Sequence, residues 1–272
     1  MRNAKIMVSQ LHPHTLICFF KCIRKEKEYS KEEVIIRIEK LGENQARLPI
    51  LISELIGILN EFQVIDYNQA RKTFVISNFG LLLKSILLRN EGLFFEIYHL
   101  INYYAFDLYE KKDELLPFKS YRLICDNIFN RQKKPDSKEL AYEVESILVK
   151  EDNVTGAFDE SCIARALTWL RHLSPPVLEE GEFINRIPLH IEPILWNLNL
   201  AYKCKGIKYG DPLFLDNIIL ENISRASLMD SNKLNSIFLK LAKKYPDIIN
   251  LRTSVSGTYL ILMKEVRLDE IL

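Results

Sequence analysis

Residues 231–263 read SNKLNSIFLKLAKKYPDIINLRTSVSGTYLILM, and two periodicities meet in them. Leu234, Ile237, Phe238, Leu241 and Tyr245 recur at steps of three and four, the spacing of one helix face. Pro246 ends that helix, because the residue before a proline is pushed out of the helical region. Ile248 to Leu251 and Thr258 to Met263 then flank a turn at Ser254 to Gly257, which predicts a β-hairpin. Upstream, the apolar spacing predicts helices over about Glu192 to Lys203 and Leu213 to Ser224. Residues 189–272 thus form a unit of three helices and a hairpin, closed by a short amphipathic tail.

The same order recurs twice upstream. In residues 1–77, Leu16, Ile17, Phe20 and Ile23 mark a first helix. Ser30 with Glu33 makes a capping box for a second, which stops near Gly42. A third runs from about Arg47 to Phe62, and Val64 to Tyr67 with Thr73 to Ile76 reads as a hairpin. Residues 78–119 predict a connector: a helix capped by Asn78, then an aromatic-rich helix from Gly92 to Lys111. In 120–188, helices carry Tyr121 to Ile128, Leu140 to Leu148 and, capped by Asp159, Ile163 to Leu173. Val177-Leu178 and Phe183-Ile184 flank a turn at Glu179 to Gly181.

The expected fold is mainly α with small β-hairpins. Three helices followed by a hairpin resembles the winged-helix superfamily, so the chain reads as tandem winged-helix-like units joined by a helical connector. The resemblance implies that a unit's third helix enters the DNA major groove and its wing touches the backbone.

By that criterion the three third helices differ. The first, Leu48 to Phe62, is apolar nearly all round, so burial on both faces is expected. The second sets Arg165, Thr168 and His172 opposite its apolar stripe, but its wing carries Glu179, Glu180 and Glu182, which repel phosphate. The third sets Lys233, Ser236, Lys240, Lys243 and Lys244 opposite its stripe, and its wing adds Arg252, Thr253 and Ser256. Residues 230–267 hold seven basic and three acidic side chains. Lysines and small hydroxyls suit phosphate contact, which positions a protein without specifying sequence.

Composition bounds these readings. The 272 residues are 48% hydrophobic, which is globular, and nine glycines and ten prolines favour helices. The net charge of +1 means that any DNA contact is local. Cys18, Cys22, Cys125, Cys162 and Cys204 sit in apolar runs and predict reduced, buried thiols. No run approaches a membrane span, and Leu16 to Phe20 is too short for a signal peptide. A cytoplasmic location without membrane contact is expected.

Chemistry is sparse. No Gly-rich phosphate loop occurs, so no cofactor is expected. His12, His14, Cys18 and Cys22 lie close together, but their spacing matches no standard zinc pattern, so no metal site is expected. Asp247, Glu265 and Arg267 faintly resemble the restriction-endonuclease-like metal motif, yet arginine cannot replace its lysine as a base. The leading expectation is a non-catalytic protein that contacts double-stranded DNA through its last unit. The first unit and the aromatic connector would mediate self-association or protein binding within a larger complex. The alternative is a docking or scaffold subunit without DNA contact, like the winged-helix accessory subunits of condensin-like and anti-phage defence complexes. A degenerate nuclease is a distant third.

Overall fold

The computed structural model describes residues 12–42, 47–109, 115–154, 158–184, 186–255 and 257–271. It is mainly helical with small antiparallel sheets. In chain order the first elements are α1 (Pro13–Cys22), β1 (Tyr29–Ser30), α2 (Lys31–Glu39), α3 (Leu48–Glu61), β2 (Ile65–Asn68) and β3 (Thr73–Ile76). Two helices follow, α4 (Asn78–Arg89) and α5 (Glu91–Leu108). Next come α6 (Leu116–Arg131), α7 (Ser137–Asp152), α8 (Glu160–Leu170), β4 (Leu178–Glu179) and β5 (Glu182–Phe183). The chain closes with α9 (Glu192–Lys205), β6 (Pro212–Phe214), α10 (Asn217–Ser227), α11 (Leu234–Lys244), β7 (Ile249–Ser254), β8 (Gly257–Leu262) and α12 (Leu268–Ile271).

Contacts group these elements into two units, each assembled from separated stretches. One holds the residues up to Phe94 together with Ser137–His172; the other holds Phe95–Asp136 and Leu173 onward.

In the first unit, α1, α2 and α3 pack beside a three-stranded sheet of order β1-β3-β2. Phe19 stacks on Phe74 at 5.8 Å, and Phe20 meets Phe94 edge-on at 5.6 Å. Ser30 caps α2 by accepting the Glu33 amide, as the capping box predicts. The Glu33 carboxylate, however, goes to Lys27 and Arg37. The start of α4 differs from expectation. Ser77, not Asn78, is its N-cap, because Ser77 is extended and its Oγ accepts the Gly80 amide at 3.0 Å. Gly80 itself leaves no room for a side chain: a Cβ there would lie 2.1 Å from the Val64 carbonyl oxygen. Helix α7 packs on α8, whose predicted cap Asp159 accepts the Ser161 and Cys162 amides.

The second unit repeats the order of the first in α9, β6, α10, α11, β7 and β8, again with a sheet of order β6-β8-β7. Neither β1 nor β6 was expected. Leu213, read as a helix start, lies in β6, and α10 begins only after Asp216 caps it through the Ile219 amide. Hairpin β4-β5 joins α6 more loosely: Lys133 bridges to Glu182, and the Lys134 amide donates to the Gly181 carbonyl.

Helix α5 brings aromatic and polar groups inside. Phe94, Phe95, Tyr98, Tyr103 and Tyr104 are all buried, so they offer no face to a partner. Between them Glu96, His99 and Asn102 recur at three-residue steps and are buried too. Glu96 pairs with Arg186 at 2.6 Å, the two side chains being 4% and 0% exposed. Glu96 Oε1 also accepts the Ser174 amide at 3.0 Å, and Arg186 Nη1 donates to the Pro175 carbonyl at 2.7 Å. His99 Nε2 lies 2.8 Å from the Ala226 carbonyl oxygen, which can only accept, so the proton sits on Nε2. Nδ1 then accepts from the Tyr121 hydroxyl at 2.7 Å.

Two predictions follow from these buried groups. Arg186→Met strands the Glu96 charge and lowers stability by about 3–5 kcal/mol, whereas pairing it with Glu96→Met recovers most of the loss in a denaturant double-mutant cycle. Burial pushes the His99 imidazole down to a pKa of about 3, from the ordinary 6.5. Between those limits the unfolded chain takes up a proton that the folded chain refuses. Stability is therefore full above about pH 6.5 and falls as the pH drops toward 3. His99→Gln, which keeps a donor and an acceptor, flattens the urea midpoint over that range.

Candidate nucleic-acid interface

Helix α11 is built for one-sided burial. Asp230 accepts the Asn232 amide and starts a short 3-10 turn, Ser231–Lys233, that leads into the helix. Leu234, Ile237, Phe238 and Leu241 are buried, as the stripe predicts. The opposite side is exposed and carries Lys233, Ser236, Lys240, Lys243 and Lys244. On the adjoining β7, Arg252 and Thr253 are exposed, and Ser256 lies outside the described residues.

The structure sorts these residues further. Lys244 turns to the Glu192 carboxylate at the start of α9 and lies over the Tyr245 ring at 5.1 Å. The hydrogen bond to Glu192 raises the Lys244 pKa. Burial pushes the Glu192 carboxyl up, but Lys244, the backbone and Tyr245 together bring it below its ordinary value. The Ser236 hydroxyl donates to the Lys233 carbonyl at 2.8 Å, so only its lone pairs face outward. Of the other local cations, Lys264 pairs with Glu270 and Arg267 with Asp269. Lys233, Lys240, Lys243 and Arg252 have no ion-pair partner among the described residues. The spacing of α11 also sets Leu239, 57% exposed, between Ser236 and Lys243. The sequence reading had left Leu239 out of this face.

The other two third helices look different. In α3, Leu48, Leu51, Ile52, Leu55, Ile56 and Leu59 are buried, but burial is not two-sided. Pro49, Ile50, Ser53 and Gly57 share an exposed face, with Ile50 60% exposed. None of these four residues is charged, although the Lys31 ammonium donates to the Ser53 hydroxyl at 3.0 Å. Thr168 of α8 and His172, just past its end, line a cavity of about 420 Å³ with His12, Pro13, His14, Ile17, Lys21 and Glu91, all within the first unit.

The remaining reactive groups are dispersed. Cys18, Cys22, Cys125 and Cys162 are buried as expected, whereas Cys204 is exposed, near the end of α9. Burial raises the Cys125 thiol well above its ordinary value. His14 Nε2 lies 3.9 Å from Cys18 Sγ, and His12 Nδ1 serves Thr15. Among the described residues no three such side chains converge on a metal position. Glu265 pairs with Lys203 and Arg267 with Asp269, and Asp247 is exposed beside the hairpin. No helix among the described residues is long and apolar enough to cross a membrane.

Comparison with protein-family models, with curated proteins and with solved structures finds no match.

Because Lys244 is half-exposed, its pair with Glu192 is a screened contact. Lys244→Ala lowers the thermal midpoint by the equivalent of under about 1 kcal/mol, a loss that shrinks as salt is raised.

Proposed function

We propose that the chain is a non-catalytic DNA-associated protein that holds duplex phosphate through α11 and β7. The single observation that carries this reading is the set of four cations, Lys233 in the turn leading into α11, Lys240 and Lys243 on α11 and Arg252 on β7, without ion-pair partners among the described residues. Unpaired cations release counterions from the duplex at no competing internal cost. Lys244, already held by Glu192, drops out of the contact set. The repeated order of helix, short strand, two helices and hairpin supports tandem winged-helix-like units, in which this helix and hairpin are the elements that meet DNA. With only four phosphate contacts the affinity is modest, which suits a subunit of a larger assembly.

A second reading, protein docking without DNA, draws on the exposed face of α3 around Ile50. In winged-helix accessory subunits of condensin-like or anti-phage complexes the units serve as such docking modules. The cytoplasm fits both readings.

Fluorescence anisotropy with a blunt duplex separates them. The DNA reading expects a log–log salt slope of about −3 to −4, reduced by about 2 in Lys240→Glu/Lys243→Glu, with affinity lowered by tenfold or more. Lys244→Ala leaves the slope unchanged. No duplex binding at low salt would sink the reading. The docking reading instead expects Ile50→Asp to release the partner from the complex isolated from native cells, with the lysine variants silent.

A further inference from the structure

One face of the sheet β6-β8-β7 carries a row of side chains that are not fully buried. Phe214 is opposite Tyr259, and Tyr259 is opposite Arg252. Directly opposed residues in antiparallel strands share a sheet face. The alternating residues Leu213, Leu260, Leu262 and Ile249 are buried and make up the inner face. The row Phe214–Tyr259–Arg252 lies on the other face, where the neighbouring row Pro212–Ile261–Asn250 includes the buried Ile261. Phe214 is 42% exposed, and its ring centre lies 5.2 Å from that of Tyr259 at a tilt of 52°. Arg252 is exposed, with no ion-pair partner among the described residues.

The Phe214 ring adjoins Gly257. Gly257 opens β8 at φ +132°, a region that favours glycine. A Cβ at 257 would lie 2.5 Å from the Phe214 ring. The ring thus lies over the base of the hairpin turn, on a position that only glycine fits.

We propose that this row is a stacking platform for an unpaired nucleobase of a single-stranded nucleic acid. Phe214 and Tyr259 would take the face of the base, and Arg252 the adjoining phosphate. Charge complementarity selects this occupant. The row includes a cation and no acid, and the carboxylate of Asp216, two residues past Phe214, is turned inward as the cap of α10. Phe214 is exposed and Tyr259 half-buried; aromatic rings on an antiparallel sheet beside a cation suit any base, because every base has a π-face. The inference deepens the duplex reading by adding an unpaired strand to it, and shares only Arg252 with it.

The test uses the full chain and an oligothymidylate of about 16 nucleotides, the upper end of the usual site size for one such surface. Wild type binds it at low salt. Phe214→Leu keeps apolar bulk over Gly257 but removes the π-face, and weakens that binding about tenfold or more, while Phe214→Trp retains it. Binding of a blunt duplex is the same in all three. If Phe214→Leu lowers the thermal midpoint, Tyr259→Leu is used in its place. The proposal is overturned if wild type fails to bind the oligothymidylate, or if the leucine variants bind it as wild type does, including the case in which they lose a protein partner instead. Strand binding that depends on Phe214 without any duplex binding would remove the duplex reading and leave this one standing.

Discussion

The ion pair between Glu96 and Arg186 is the constraint on which the second unit turns. Both charges are out of water, and the energy of bringing them there is offset only by their close approach and by the extra hydrogen bonds around them. Those extra bonds matter most for architecture. Glu96 takes the Ser174 amide and Arg186 gives to the Pro175 carbonyl, so the pair ties two non-helical stretches to α5. Between these stretches lies hairpin β4-β5, and after them comes α9. The Arg186 Nε, buried and without a hydrogen-bond partner, shows that even this arrangement leaves one donor unanswered.

A polar spine continues from that pair along α5 and into α9. His99 joins α5 to α6 and α10 through Tyr121 and Ala226. Tyr104 donates to Asn197 of α9, whose amide in turn donates to Ile223 and Ser227 of α10. Hydrogen bonds inside a core have directions, whereas apolar contacts do not, so this spine specifies how the helices meet as well as that they meet. The basic face of α11 is positioned by its outcome: α9 supplies both the wall on which α11 packs and the Glu192 that takes Lys244.

Much of this was legible from local sequence. Apolar spacing located the helices, Ser30 and Asp159 marked their caps, and the hairpin after Pro246 was plain in its β-branched runs. Strands β1 and β6 were not legible, because two or three residues show no alternation. Leu213 was read as helix for the same reason, its neighbours being too few to set a period. The exposed face of α3 was missed because Ile50 counts as apolar wherever it points. The pairs Glu96–Arg186 and Lys244–Glu192 join residues 90 and 52 positions apart, and nothing local to either partner names the other. The lysines of α11 were found, but which of them is already engaged is a long-range fact, and so is the place of Leu239 among them.

Gly80 has a consequence of another kind. Its amide is held by Ser77, and its missing side chain lets α4 lie against the Val64 carbonyl and Ile76. Most surface positions of this chain can drift through many residues with little effect. Position 80 cannot accept even alanine without moving either the strand end or the helix start. The chain is therefore free to vary over wide stretches and pinned at isolated points, of which Gly80 is one. At Gly80 that constraint is the width of a methyl group.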